Sequence, residues 1–146
     1  KIQNKMKTII TIFLTVFLAK SCANENGDID KAVVEYEATS RGFYKNIKIE
    51  DKKLFVFNNR NEKPVEVSLS KKEWNELVDA FKEINLEEMK NLKAPTDKRL
   101  YDGAAHANIT IILDGKTYTT DGFDHGYPPS QIENFISKLI FLTIKE

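Results

Sequence analysis

The chain has one cysteine, two histidines and no excess of charge of either sign: 22 Lys and Arg balance 22 Asp and Glu over 146 residues. A lone cysteine excludes a disulfide framework and a multi-cysteine zinc site. Without a basic excess there is no electrostatic footprint for neutralising phosphates, which argues against a nucleic-acid binder. No apolar run approaches the roughly 20 residues that a transmembrane helix needs. No internal repeat is visible, and neither G-x-S-x-G nor H-E-x-x-H occurs. No cofactor signature stands out, so no cofactor and no metal-ligand set is assigned. What is present is ordinary for a globular protein: 41% hydrophobic and 30% charged residues. The length suits one domain.

The first residues read as an address. Met6 serves as a start and Lys7 as a short basic region. Ile9 to Ala19 is an eleven-residue apolar run broken only by Thr11 and Thr15. That is too short to span a bilayer but suits the core of a signal peptide. Leu18-Ala19-Lys20-Ser21-Cys22 follows, with a small residue directly before the only cysteine. This arrangement resembles a bacterial lipoprotein signal, although Lys20 stands where a small or apolar residue is usual. The resemblance implies cleavage before Cys22 and acylation of its thiol and new amino group. The alternatives are an ordinary secretory signal cleaved elsewhere, or a free cysteine.

Three segments result: a signal peptide over 1–21, an acylated Cys22 with a flexible tether to residue 31, and a single domain over 32–146. Cleavage removes Lys1, Lys5, Lys7 and Lys20, leaving 18 basic against 22 acidic residues and a net charge of −4. Such a surface disfavours anionic lipid and nucleic acid, so membrane contact falls to the lipid anchor at Cys22. The tether, rich in Asn, Asp, Glu and Gly, lacks the apolar side chains that ordering requires.

The domain reads as strands, a helix, a hairpin and a helix. Strands are expected at Val33–Thr39, Phe43–Ile49, Lys53–Phe57 and from Val65, where Val65, Val67 and Leu69 alternate with polar residues. Ser70 and Glu73 form a capping box, with Leu69 and Trp74 placed as a hydrophobic staple. Trp74, Leu77, Val78, Phe81 and Ile84 continue at helical spacing. Asn85 with Glu88 repeats the cap for a short second turn pinned by Leu86, Met89 and Leu92. Asp114-Gly115 predicts a two-residue hairpin turn. Its register pairs Ile111 with Tyr118, Ile109 with Thr120, Asn108 with Asp121 and His106 with Phe123. Ala107, Ile109, Ile111, Leu113 and Tyr118 then share the core face. After Pro128-Pro129 a last helix carries Ile132, Phe135, Ile136, Leu139 and Ile140, widened by Phe141, Leu142 and Ile144. The fold class is α+β: an antiparallel sheet, in the order β-β-β-β-α-β-β-α, with helices packed on one face.

The special residues crowd together late in the chain. Arg99, Asp102, His106, Asp121, Asp124 and His125 fall within twenty-seven positions and include both histidines. With Asn108 on the polar hairpin face, they form the candidate binding set. Two imidazoles and one or two carboxylates are the donor types of a metal site, and a His–Asp pair can serve as acid and base. No spacing or nucleophile makes either specific. The structural alternative assigns Asp124 and Gly126 to a turn and His125 to a loop backbone contact.

The segments Leu92–Pro95, Asp102–Ala107, Gly115–Tyr118 and Phe123–Pro129 resemble a group of small uncharacterised lipoproteins from Bacteroidetes bacteria. The resemblance covers most of residues 33–142. It implies a place in the bacterial cell envelope, outer membrane included, and brings no activity with it. Three roles are open. The first is a binding or structural module acting through the polar hairpin face or the Asp/His end, with a protein or small-molecule partner. The second is an inhibitor of an envelope or foreign enzyme, which would present a protruding loop at 58–63 or 121–129. The third is a metal-assisted hydrolase, which would require His106 and His125 to meet.

Overall fold

The structure is a computed structural model, and the described residues are 28–145. The expected signal, Cys22 and the tether up to residue 27 lie outside them. The chain opens with a helical turn, α1 (Asp28–Lys31), followed by β1 (Val33–Thr39), β2 (Tyr44–Glu50), β3 (Lys53–Phe57) and β4 (Val65–Val67). Helix α2 (Lys71–Lys82) and two 3-10 turns, Leu86–Asn91 and Lys98–Tyr101, lead to β5 (His106–Leu113), β6 (Lys116–Thr119) and β7 (Phe123–Asp124). Helix α3 (Ser130–Ile144) ends the domain.

Two short turns and the longer loop 58–64 join β1 to β4 into a meander, and α2 carries the chain back so that β5 adds to the free side of β1. The order is β4-β3-β2-β1-β5-β6, every pairing is antiparallel, and β7 pairs β5 beyond the end of β6. Alternation sorts the side chains. Val34, Tyr36 and Ala38 of β1, Ile47 and Ile49 of β2, Leu54 and Val56 of β3, and Ala107, Ile109 and Ile111 of β5 are buried. Helices α2 and α3 close over this face with Leu77, Phe81, Ile132, Phe135, Ile136 and Leu139, and the Phe81 and Phe135 rings meet edge to face at 5.6 Å. Each fully buried side chain of this size contributes about 1.5–3 kcal/mol.

Local chemistry sets the boundaries. The Ser70 hydroxyl accepts the Glu73 N–H at 3.2 Å, and the Glu73 carboxylate accepts the Ser70 N–H at 2.8 Å, completing the expected capping box. Asp114 and Gly115 both have positive φ, 50° and 76°, as a type I′ turn requires. Lys116 Nζ then donates to Glu87 at 2.5 Å, fastening the hairpin tip to the first 3-10 turn.

The structure departs from expectation at four elements. The last residues assigned to the tether are ordered: α1 spans 28–31, and Ile29, 1% exposed, joins the core. Ile29 and the adjoining Ala32 enter the core, and Asp30 pairs with Lys52, which together hold that turn. Strand β4 is a three-residue edge whose Val65 is exposed, because no helix reaches over it. Asn85 makes no side-chain cap, although Met89 is buried as expected. Phe141 and Ile144 lie exposed on α3, since the one stripe facing the sheet is already filled.

A fifth difference reshapes the site. The hairpin holds its expected register through Ile111 opposite Tyr118 and Thr110 opposite Thr119, and the Thr120 N–H still reaches the Ile109 carbonyl at 3.1 Å. One residue further on, the pairing slips. Asp124 stands opposite His106 and Phe123 opposite Ala107, so Asp121-Gly122 carries one residue too many for the ladder. A one-residue slip exchanges the two faces. It places the Phe123 ring in the core, fully buried, instead of on the polar face beside His106.

Candidate functional site

After the slip, alternation assigns Asp124 to the face of His106 and His125 to the core face. Asp124 is fully buried, and its carboxylate organises the preceding loop. Oδ2 accepts the Thr96 hydroxyl at 2.6 Å and the Lys98 N–H at 2.7 Å. Oδ1 accepts the Arg99 N–H at 2.9 Å and the Arg99 guanidinium at 3.1 Å. The same guanidinium donates to the Thr96 carbonyl at 2.7 Å. Asp124 thus supplies, from 25 residues away, the cap that the 3-10 turn Lys98–Tyr101 lacks at Asp97. Burial alone raises its pKa; the four donors outweigh that and hold the carboxyl at about 2. Arg99, nearly buried, is consumed in the same knot. These two candidate residues form a structural clamp.

His125 faces a different environment. Its backbone N–H donates to the Ala105 carbonyl, as the loop-contact alternative anticipated, and Gly126 has φ +90°. Its ring does something the sequence did not announce: Nδ1 lies 2.7 Å from the hydroxyl of Tyr36, a core residue 89 positions away, and the Phe43 ring packs 5.0 Å from it. Burial raises the Tyr36 pKa well above its usual value, so that hydroxyl stays protonated. Its only partner among the described residues is the imidazole, so it donates to Nδ1 and leaves the ring proton on Nε2. Burial, assisted by the nearby Lys45 charge, lowers the His125 pKa and keeps the ring neutral.

The remaining candidates separate. The His106 ring lies against Gly122, where an added Cβ would fall 2.1 Å from the imidazole Cε1. Asn108 is half-buried on the outer face, Asp121 is exposed beside the slip, and Asp102, with φ 60°, ends the second 3-10 turn. His106 and His125 occupy opposite faces and do not converge. Among the described residues, no three His, Cys, Asp or Glu side chains stand close enough to hold a metal ion. Cys22, the lipidation candidate, lies outside the described residues.

Two of the surfaces that can receive a partner carry candidate residues; a further cavity of about 570 Å³ lies between α2 and α3, lined by Glu73, Ser137 and Phe141 among others. Of the two, one is the outer face of the sheet, which lies away from α2 and α3. There Thr117 and Thr119 are exposed, Ile112 is 41% exposed, and Thr110 and Thr119 share a hydroxyl hydrogen bond at 3.1 Å. On the same face the Asn46 amide donates to Glu35 at 2.5 Å. The other is an open cavity of about 610 Å³ at the sheet end, lined by Phe43, His125, Tyr127, Asp102, Lys98 and Arg41 among others. Neither loop proposed for an inhibitor stands as a bare arm. Arg60, from the loop after β3, donates to the Thr39 hydroxyl at 2.7 Å and stacks on Tyr44, while Asp124 and His125 tie down the second loop.

Arg60, Tyr36, Phe43 and Arg41, with Thr96, Lys98 and Tyr127, are residues that sequence reasoning left out of the candidate set. Only Phe43, an aromatic beside a turn glycine, carried a local signal. No helix among the described residues is long and apolar enough to cross a membrane. No family model matches the chain, and neither a curated protein nor a solved structure matches it.

Proposed function

We propose that this domain is the folded head of a lipid-anchored bacterial envelope protein, moored through Cys22, and that it works as a binding module. The carrying observation is the outer sheet face: a polar surface from β3 across to β6 that the protein's own helices leave uncovered. Its mixed Glu35, Lys48, Thr110 and Thr119 side chains with Phe55 and Ile112 suit a protein partner, since such interfaces combine apolar contact with hydrogen bonding. No catalytic residue is assigned. The Asp124–Arg99 clamp is spent on holding a loop, and the hydroxyl that His125 meets, that of Tyr36, is kept protonated by burial.

Site-specific photocrosslinking in intact cells tests the face. A photoreactive phenylalanine at Thr117 is expected to give a discrete adduct, and the same group at Glu133, exposed on α3, is expected to give none. Adducts at Glu133 alone, or at neither position, overturn the reading. The anchor is tested separately with an alkyne-bearing fatty acid. The wild-type chain should take up the label and Cys22→Ser should not; an unlabelled wild type overturns the envelope assignment.

A further inference from the structure

The cavity at the sheet end gathers cations that no carboxylate neutralises. Most of the lysines elsewhere on the sheet sit beside a carboxylate: Lys48 with Glu50, Lys52 with Asp30, Lys53 with Glu66, and Lys116 with Glu87. Arg41, Lys45 and Lys98, which surround His125, have no carboxylate within ion-pair distance among the described residues. Arg41 and Lys98 line the cavity with one acid, Asp102, which leaves an excess of one positive charge. Lys98 is held over the Tyr127 ring, 4.7 Å from its centroid, and the Phe43 ring packs 5.0 Å from that of His125. The walls are therefore aromatic and the donors cationic. The volume falls in the range of small-molecule sites, about 300–1,000 Å³.

The imidazole completes the arrangement. Tyr36 occupies Nδ1 from inside the core and orients the ring, so its remaining polar atom is a donor at Nε2. An oriented neutral donor beside two cations suits a group that accepts hydrogen bonds and carries a single negative charge. Guanidinium groups bind carboxylates with two parallel hydrogen bonds.

We propose that this cavity is a binding site for a small organic monocarboxylate with an aromatic or apolar body. Its carboxylate meets Arg41, Lys98 and His125 Nε2–H, and its body lies between Phe43 and Tyr127. Asp102 disfavours dianions. The site is distinct from the outer sheet face and does not depend on a partner there.

Benzoate serves as the probe, with benzamide as its neutral counterpart and inorganic phosphate as an anion without an apolar body. Amide and imidazole NMR signals are followed while each is titrated into the folded domain at millimolar concentrations. Benzoate is expected to shift Phe43, His125 and Tyr127 saturably, and benzamide to bind about tenfold more weakly, as loss of one charge-assisted contact implies. Arg41→Ala removes an exposed turn side chain and is expected to weaken benzoate by a similar factor, with the rest of the spectrum unchanged. His125→Gln should weaken it further and broaden its specificity toward benzamide. Unsaturable or scattered shifts overturn the site. Equal binding of benzamide, or of benzoate to Arg41→Ala, overturns its selection of an anion. Equal shifts with phosphate overturn the need for an apolar body.

Discussion

A few side chains at the sheet end set the acid behaviour of the domain. Asp124 accepts four hydrogen bonds while fully buried, so Asp124→Ala leaves a nearly buried guanidinium and two backbone N–H groups without their acceptor. A loss of about 3–5 kcal/mol is expected in urea unfolding, typical of removing one member of a buried ion pair. The pH dependence follows from the sign of the shift. The carboxyl sits at about 2 when folded and near 3.8 when unfolded, so its contribution is complete above roughly pH 4 and drains away as pH falls toward 2. Asp124→Asn should flatten this part of the profile. His125 behaves similarly at higher pH. Its folded pKa lies below the usual 6.5, so the unfolded chain takes up the proton first, and stability declines as pH falls below about 6.5. Unfolding midpoints measured from pH 8 to 5 should show that decline in the wild type and lose it in His125→Gln. A wild-type midpoint that stays level across this range contradicts the neutral, Tyr36-held ring.

Among the elements, what was legible depended on how far apart the deciding residues stand. Strand β1, strand β3, the start of α2 and the hairpin turn are written in contiguous residues, and all four match expectation. Two look-alike caps show where local pattern stops being enough. Ser70 and Glu73 close their box, whereas Asn85, with Glu88 at the same spacing, makes no side-chain bond. Ser70→Ala should therefore lower stability by about 1 kcal/mol. Asn85→Ala should change it by less than about 0.5 kcal/mol. Equal losses in parallel thermal melts contradict that difference. The slipped register had a readable clue: uniform pairing set Phe123, a large apolar ring, on the polar face opposite His106. That conflict resolves only if the strand shifts by one residue, and Gly122 permits the shift by yielding its side-chain space to His106. The contacts of Asp124 with Thr96–Arg99 and of His125 with Tyr36 span 25 to 89 positions, and no periodicity encodes them.

For the molecule as a whole, the helices and the inner sheet face form one continuous core, while the outer face and the far side of α3 are left to solvent. The layer division was readable from alternation in the strands. How much of α3 is covered was not, because a helix with apolar residues on most sides gives no hint of where its neighbours end. The two phenylalanines of α3 make the contrast measurable. Phe135→Ala empties a site 1% exposed and should destabilise the domain by about 3–5 kcal/mol. Phe141→Ala trims a side chain 61% exposed and should stay within about 0.5 kcal/mol. Comparable losses in chemical denaturation would indicate that Phe141 is covered in solution.

The supernumerary residue at Asp121-Gly122 makes this corner a matter of counting. Excise one amino acid there and the chain beyond it is turned inside out: the phenylalanine is evicted, the aspartate is marched away from its arginine, and the imidazole emerges on the far side from its tyrosine. Chains that differ from this one by that single deletion would share its architecture and nearly all of its composition, yet would offer the surroundings different chemistry at this end.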